Sequence, residues 1–262
     1  MLHGEVKELC LGIAKRIREK VLEKSKNPLG LDKNVGIGAD GTPTKQIDKL
    51  AEDIAIECLR HSKIPVNLLS EEIGFLDFGG EYTVILDPID GTKNAVRGIP
   101  FYAVSVAVGK RSLKDVEFGV VINIPSGDIF RAEKGKGSFL NGKAIVTPHS
   151  TREKPLCSIV PCREFERRGN LLLRHSHIRS LGAASLEISY VASGAIDCFI
   201  CLKEHLRITD IAAAVLILKE AGGAICNGSG EEIEMPLDVT KRTSVIAATS
   251  RSTLEKVFSL LS

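Results

Sequence analysis

An apolar strand that runs into two carboxylates, a turn and a hydroxyl marks where this chain could do chemistry. The string is Val84-Ile85-Leu86-Asp87-Pro88-Ile89-Asp90-Gly91-Thr92. Val84 to Leu86 are β-prone and apolar and read as a buried strand. Pro88 fixes its own φ and keeps Asp87 extended. Asp87 and Asp90 then face each other across a tight turn, and Gly91 lets the backbone come close to a ligand. Two carboxylates held this near each other repel unless a cation lies between them. Hard oxygen ligands of this kind suit Mg²⁺ or Mn²⁺. The backbone N–H groups of Gly91 and Thr92, at the start of a short helix, can take an anion. Metals beside an anion cradle point to phosphoryl chemistry. A lone Asp-Pro or Asp-Gly would be an Asx-type turn; a turn needs neither two Asp nor a Thr directly after the Gly.

Other acids stand at element ends. Glu71 and Glu72 follow a strand at about 65–69; alone they would be solvated loop charges. Asp48 falls in the first turn of a helix at about 44–61, where a carboxylate suits the helix dipole. Asp210 opens a very apolar helix at about 210–221, a natural N-cap, and Gly222-Gly223 ends that helix. Spacing alone does not bring these acids together.

The elements that must position them follow from periodicity. A helix spans about 4–26 and stops at Asn27-Pro28-Leu29-Gly30. The glycine-rich run 34–44 is a mobile loop or an irregular hairpin; it matches neither a Walker loop nor G-x-G-x-x-G. Strands follow at 103–108 and 118–124. A hairpin comes next at 128–132 and 137–140, with Asn141-Gly142 as a turn signal. A polar connector covers 147–155. The second half holds a strand at 157–161, a basic, His-containing segment at 163–179, a helix at 183–193 and a strand at 195–202. Cys198 and Cys201 form a C-x-x-C, but three positions along a strand point to opposite faces, so both read as core residues.

Composition excludes several classes. The chain has 262 residues, 44% hydrophobic and 26% charged, enough for one large domain or two modest lobes. A net charge of +2 leaves no nucleic-acid footprint. No apolar run is long enough for a membrane span, and no signal-like apolar segment opens the chain, so a cytoplasmic protein is expected. Seven scattered Cys argue against a disulfide framework.

Five pieces in order resemble the inositol monophosphatase/fructose-1,6-bisphosphatase superfamily. They are Asp40-Gly-Thr-Pro-Thr-Lys-Gln-Ile-Asp48, Ser70-Glu71-Glu72, Asp87-Pro-Ile-Asp-Gly-Thr92, Leu181-Gly-Ala-Ala184 and Asp210-Ile-Ala-Ala with Glu220-Ala-Gly-Gly223. The likeness runs from about residue 36 to 223, and its wording is most similar to the archaeal dual-activity branch. It implies an α+β fold, a layered αβαβα sandwich with mostly antiparallel sheets, with lobes at 1–148 and 149–262. It implies a phosphomonoesterase acting on inositol 1-phosphate and fructose 1,6-bisphosphate in carbohydrate metabolism and gluconeogenesis, as a cytoplasmic homodimer without nucleic-acid or membrane partners.

The same resemblance implies two or three Mg²⁺ ions, with Mn²⁺ as a substitute. Asp87 would bridge two; Glu71 and the carbonyl of Ile89 would complete one site, Asp90 and Asp210 the other. Thr92, polarised by Asp48, would orient the attacking water, with Glu71 helping as a base. Asp90, Gly91, Thr92, Gly182, Ala183 and Ala184 would meet the substrate. Arg179, Lys203 and Arg207 are the candidates for a distal phosphate; His175 and His177 read as surface. Ala95 and Thr209 depart from the family pattern and imply a changed pocket lining. No Cys-x5-Arg phosphatase loop is expected at Cys157 or Cys162. A 3′-phosphoadenosine 5′-phosphate phosphatase of the same superfamily is the nearest alternative, but it would want an adenine pocket, and aromatics are only 5% with no Trp. A non-catalytic regulator that kept the fold is the other; the matched acids are all present.

Overall fold

The computed structural model describes residues 4–25, 30–148 and 152–261. The helix stop at 27–29 and the middle of the 147–155 connector lie outside them. Two amphipathic helices, α1 (Gly4–Ser25) and α2 (Gln46–Ser62), make the first layer. α1 buries Val6, Cys10, Ile13, Ile17 and Val21, whose spacing by three and four puts them on one stripe. α2 does the same with Ile47, Ala51, Ile54, Ala55 and Leu59. Between the helices the glycine-rich run forms a hairpin of β1 (Asn34–Ile37) and β2 (Pro43–Lys45) with a register shift, the second of the two forms expected.

Both helices rest on an eight-stranded sheet. Its strands are β3 (Val66–Ser70), β4 (Gly74–Leu76), β5 (Tyr82–Asp90), β6 (Ala103–Gly109), β7 (Phe118–Asn123), β8 (Ile129–Glu133), β9 (Ser138–Leu140) and β10 (Lys143–Ile145). They lie in the order β10-β9-β8-β7-β6-β5-β3-β4. β3 and β5 run parallel; the other neighbours are antiparallel. All nine residues of β5 are buried, as a strand covered on both faces requires. The short helix α3 (Thr92–Val96) follows it. Asn141 and Gly142, with φ of 51° and 81°, make the turn between β9 and β10.

The second half builds a five-stranded sheet of β11 (Leu156–Ile159), β12 (His177–Arg179), β13 (Cys198–Leu206), β14 (Ala224–Cys226) and β15 (Thr243–Ala248), in the order β12-β11-β13-β15-β14. The basic segment read at 163–179 resolves into α4 (Arg163–Arg168), α5 (Asn170–His175) and β12. Two further helices, α6 (Ala184–Ala192) and α7 (Ile208–Glu220), lie between the sheets and share one core with both. α8 (Arg251–Leu260) packs with Phe165 and Leu172 on the outer face of the smaller sheet. The result is the αβαβα layering, with mixed sheets that are mostly antiparallel. Cys198 faces the outer core and Cys201 the central one, as the strand reading requires.

α7 is buried from Ile208 through Leu218, because it has a sheet on either side. It approaches β7 so closely that a Cβ on Gly119 would lie 2.8 Å from Ala213 Cα. No helix among the described residues is long and apolar enough to cross a membrane.

Candidate active site

The end of β5 carries the site because the strand is irregular there. Asp87 pairs with Ser105 and Asp90 with Ala103, so β5 has one more residue than β6 over this stretch. Such a bulge re-aims side chains. Gly91 follows with φ 89°, and a Cβ on it would come within 3.1 Å of the Gly182 carbonyl. Conformation and space both demand glycine there. Next to β5, the parallel strand β3 pairs Ser70 with Leu86. Glu71 and Asp87 therefore leave adjacent strand ends together. Asp210 reaches them from the first turn of α7, where its Oδ2 accepts the Arg207 N–H at 2.6 Å. Carboxylate oxygens of Glu71, Asp87 and Asp210 all lie within 4.8 Å of one another.

The charge of this cluster is unbalanced. Burial pushes Glu71 and Asp87 well above the usual carboxylate range, and the neighbouring acids push them further. Arg207 is the cation among them. Its Nη1 donates to Asp40 Oδ2 at 2.7 Å and to Glu71; its Nη2 donates to Asp210 Oδ1 at 2.8 Å. Burial works against the guanidinium, but Asp210 and Glu71 outweigh it and keep it charged. Glu71, Asp210 and Asp40 thus share one guanidinium, with Arg242 also reaching Asp40 at 3.6 Å. An all-oxygen donor set with surplus negative charge fits a hard divalent cation.

Beside the cluster, the Thr92 hydroxyl lies 2.9 Å from Asp48 Oδ1 and 3.0 Å from the Ile89 carbonyl. Asp48 is fixed in turn by the Lys45 N–H at 3.2 Å, which its Oδ2 accepts at the start of α2. Burial pushes Asp48 up to about 7, against the pull of the Thr92 hydrogen bond. A hydroxyl has one proton for two acceptors, so protonated Asp48 can donate to Thr92 and ionised Asp48 can accept from it. Either state leaves Thr92 oriented.

Two cavities flank the cluster. One of about 690 Å³ is lined by Asp48, Glu71 and Thr92, with Lys45, Lys93 and Arg97 around it. The other, of about 210 Å³, is lined by Asp90, Gly182, Ala183, Ala184, Glu187 and Asp210. His205 and Arg207 line both. Asp90 is held on the second side by the N–H groups of Ala184 at 3.1 Å and Ser185 at 2.7 Å, and by the Ser185 hydroxyl at 2.6 Å. Asn94 ties α3 to the same segment, donating to the carbonyls of Leu181 and Phe101 at 2.7 Å each.

The fold brings Asp48, Glu71, Asp87, Asp90, Thr92 and Asp210 to one cleft and lines it with Gly182, Ala183 and Ala184. Arg179 and Lys203 are exposed and line neither cavity; Arg179 donates to its neighbour's carbonyl instead. Arg207 is inside the acid cluster rather than turned to a distal group. Ala95 belongs to the core under α1 and α2. Thr209 is buried, and its hydroxyl has no hydrogen-bond partner among the described residues. Neither lines either of the two cavities beside the cluster; both are packed in the interior. His175 and His177 are exposed. Cys157 and Cys162 do each stand six positions before an arginine, Arg163 and Arg168, contrary to the expectation. Cys157 is nevertheless buried in β11 and Cys162 caps α4, so neither builds a phosphate cradle. Sequence reasoning missed the places of Asp40, Glu187 and His205. Arg207 and Asp210 carry a signal that could have found their pairing: an acid three positions into a helix reaches back to its cap.

The sequence profile of the inositol monophosphatase family matches residues 4–262. The chain belongs to that family. It is 42% identical to the fructose-1,6-bisphosphatase/inositol-1-monophosphatase of Methanothermobacter thermautotrophicus, over 95% of each chain. It is 41% identical to the bifunctional NADP phosphatase/NAD kinase of Methanococcus maripaludis, over 92% of this chain but 46% of that protein. A solved inositol monophosphatase–fructose 1,6-bisphosphatase superposes with a TM-score of 0.87 at 33% identity, over 97% of this chain and 98% of the other. Membership in the inositol monophosphatase family makes the chain a metal-dependent phosphoric monoester hydrolase.

Proposed function

We propose that this chain hydrolyses inositol 1-phosphate and fructose 1,6-bisphosphate with Mg²⁺, for which Mn²⁺ can substitute. One observation carries the reading: a crowded, cation-seeking carboxylate set lies beside a hydroxyl already oriented by a buried acid. Glu71, Asp87 and Asp210 would hold two or three ions, with Asp90 and the Ile89 carbonyl beside them. When bound, such ions make water more acidic and offset the charge of attacking and leaving oxygens.

The chain's own residues supply the direction. Thr92 and Asp48, with Glu71, line the larger cavity and orient the attacking water there. In-line displacement puts the leaving alcohol opposite, in the smaller cavity. There the Gly182–Ala184 backbone meets its hydroxyls, with Asp90 beside it. Arg207 lines both cavities, but its guanidinium is held by Asp40, Glu71 and Asp210, so none of the three cations first considered is turned to a second phosphate.

The reading extends to a cytoplasmic homodimer serving carbohydrate metabolism and gluconeogenesis. It also extends to two lobes at 1–148 and 149–262, each holding one of the two larger sheets. A second reading, removal of the 2′-phosphate of NADP, is favoured by the Methanococcus maripaludis relative.

Phosphate release from inositol 1-phosphate, fructose 1,6-bisphosphate, NADP and 3′-phosphoadenosine 5′-phosphate tests all of this. Release from the first two is expected at roughly millimolar Mg²⁺, as weak oxygen-ligand sites require, and none after exhaustive chelation. Full activity in EDTA would overturn the metal. No release from the bisphosphate would remove the dual activity and leave the monoesterase.

A further inference from the structure

Glu187 is a buried carboxylate outside the crowded cluster, and the reaction described above leaves it idle. It stands in the first turn of α6 with 1% exposure. Its Oε1 accepts the N–H of Gly182 at 2.7 Å and of Ala183 at 3.1 Å. Its other oxygen is held by the Ser158 hydroxyl, on β11 of the smaller sheet. Ala183 occupies the N-cap of α6 and has no side chain to cap it, so Glu187 reaches back and does so. A Ser or Asn at 183 would cap the helix without a buried charge. The carboxylate instead sits near Asp90, whose ionisation its charge opposes. That cost needs a reason beyond capping.

The reason lies in what the capped segment touches. Gly182 and Ala183 line the cavity on the leaving-group side, as Glu187 itself does. The next two N–H groups, of Ala184 and Ser185, hold both oxygens of Asp90. One run of backbone, 182–185, thus serves the substrate at one end and a metal-site acid at the other. Glu187 pins its first half to the smaller sheet.

Resting on the function proposed above, we propose that Glu187 is a positioning residue for the reaction. It sets the 182–185 backbone so that a polyol phosphate finds its hydroxyl partners while Asp90 is held beside Asp210. Glu187 touches no reacting atom; it acts through that segment.

The test compares Glu187→Ala with Glu187→Gln on two esters, inositol 1-phosphate and propyl phosphate, which has no hydroxyls to be met. The Ala variant is expected to lose on the order of tenfold more kcat/KM on the inositol ester than on the propyl ester, mainly through KM. The Gln variant keeps an acceptor toward Gly182 and Ala183, and stays within roughly threefold of wild type on both, since its hydrogen bonds survive. Equal losses on the two esters, or a Gln variant no better than Ala, would overturn the proposal.

Calorimetry with Mn²⁺ alone needs no turnover and separates this proposal from the function it rests on. If wild type hydrolyses neither ester, the proposed function fails. The positioning of Asp90 still predicts Mn²⁺ binding weakened on the order of tenfold in the Ala variant, the worth of one displaced charged contact, and near wild type in Gln. Unchanged affinity in Ala would overturn it. Should Glu187→Ala not fold, Ser158→Ala, which frees the far oxygen, carries the same contrasts at smaller amplitude. A Ser158→Ala protein indifferent to both readouts would count against the proposal in the same way.

Discussion

Asp90 and Glu187 meet backbone N–H groups and hydroxyls on one side of the cleft, whereas Glu71, Asp87 and Asp210 meet chiefly one another and a single guanidinium. Both sets are buried, and burial raises the proton affinity of Glu71, Asp87, Asp90 and Glu187 alike. They differ in what offsets the cost. Hydrogen bonds from the 182–185 backbone and from hydroxyls answer most of the cost for the first set within the fold, even though Asp90 also borders the metal site. The second keeps surplus charge that the folded chain does not neutralise. Hydrogen bonds fix an acid's place in the cleft; surplus crowded charge marks where a cation belongs.

The largest effect that would sharpen this contrast comes from Asp87→Asn. Phosphate release is expected to fall by roughly a thousandfold or more, the several kcal/mol that charge stabilisation by a metal supplies. The same variant should melt no lower than wild type in EDTA, since it removes a repelling charge. A sharp loss of melting temperature in EDTA would mean the crowded set is structural after all.

Next in size is Arg207→Ala, which strips the crowded set of its counter-charge. Removing one partner of a buried ion pair costs about 3–5 kcal/mol, to be seen in urea unfolding with EDTA present. Mg²⁺ should restore part of that loss, because a divalent ion can neutralise the same acids. Equal destabilisation with and without Mg²⁺ would break the comparison.

The gentlest test is pH. Asp48 is raised from 3.8 to about 7, chiefly by burial. The folded chain therefore holds this proton more tightly than the unfolded one. Below the unfolded value both states are protonated and Asp48 is neutral in effect; from there up to about 7 its ionisation lowers stability. Glu71 and Asp87, also raised, act in the same direction. In EDTA, stability should fall as pH rises across this window, and Asp48→Asn should flatten part of the slope. A rise with pH would mean that their partners outweigh the burial of these acids.

The crowded set was legible in the sequence because each acid ends or opens an element with a strong pattern. The apolar runs before Asp87 and after Asp210 leave little choice of strand or helix, and the family resemblance joined them. The completed set was half legible. Asp90 lies in the same string, but Glu187 looks like any helical glutamate, and its role needs the 182–183 turn that only the fold creates. Arg207 reads as a free cation because two of its three acidic partners, Asp40 and Glu71, come from distant segments of the chain. Helices as short as α4 and α5 give too few residues for a period to show. Beyond Gly223, β14, β15 and α8 went unassigned: β15 is buried on both faces and does not alternate, so a short apolar run there says little by itself.

α7, gripped by a sheet on either side and pressed against Gly119, has a consequence for the order of events in folding. Asp210 comes beside Glu71 and Asp87 when α7 docks on the larger sheet, and the long stretch of chain between them adds to the entropy lost in closing this contact. Contacts that form last are absent from the folding transition state. A cation bound among these acids would then brake unfolding and leave the rate of folding almost untouched, lengthening the life of the native state rather than hastening its arrival.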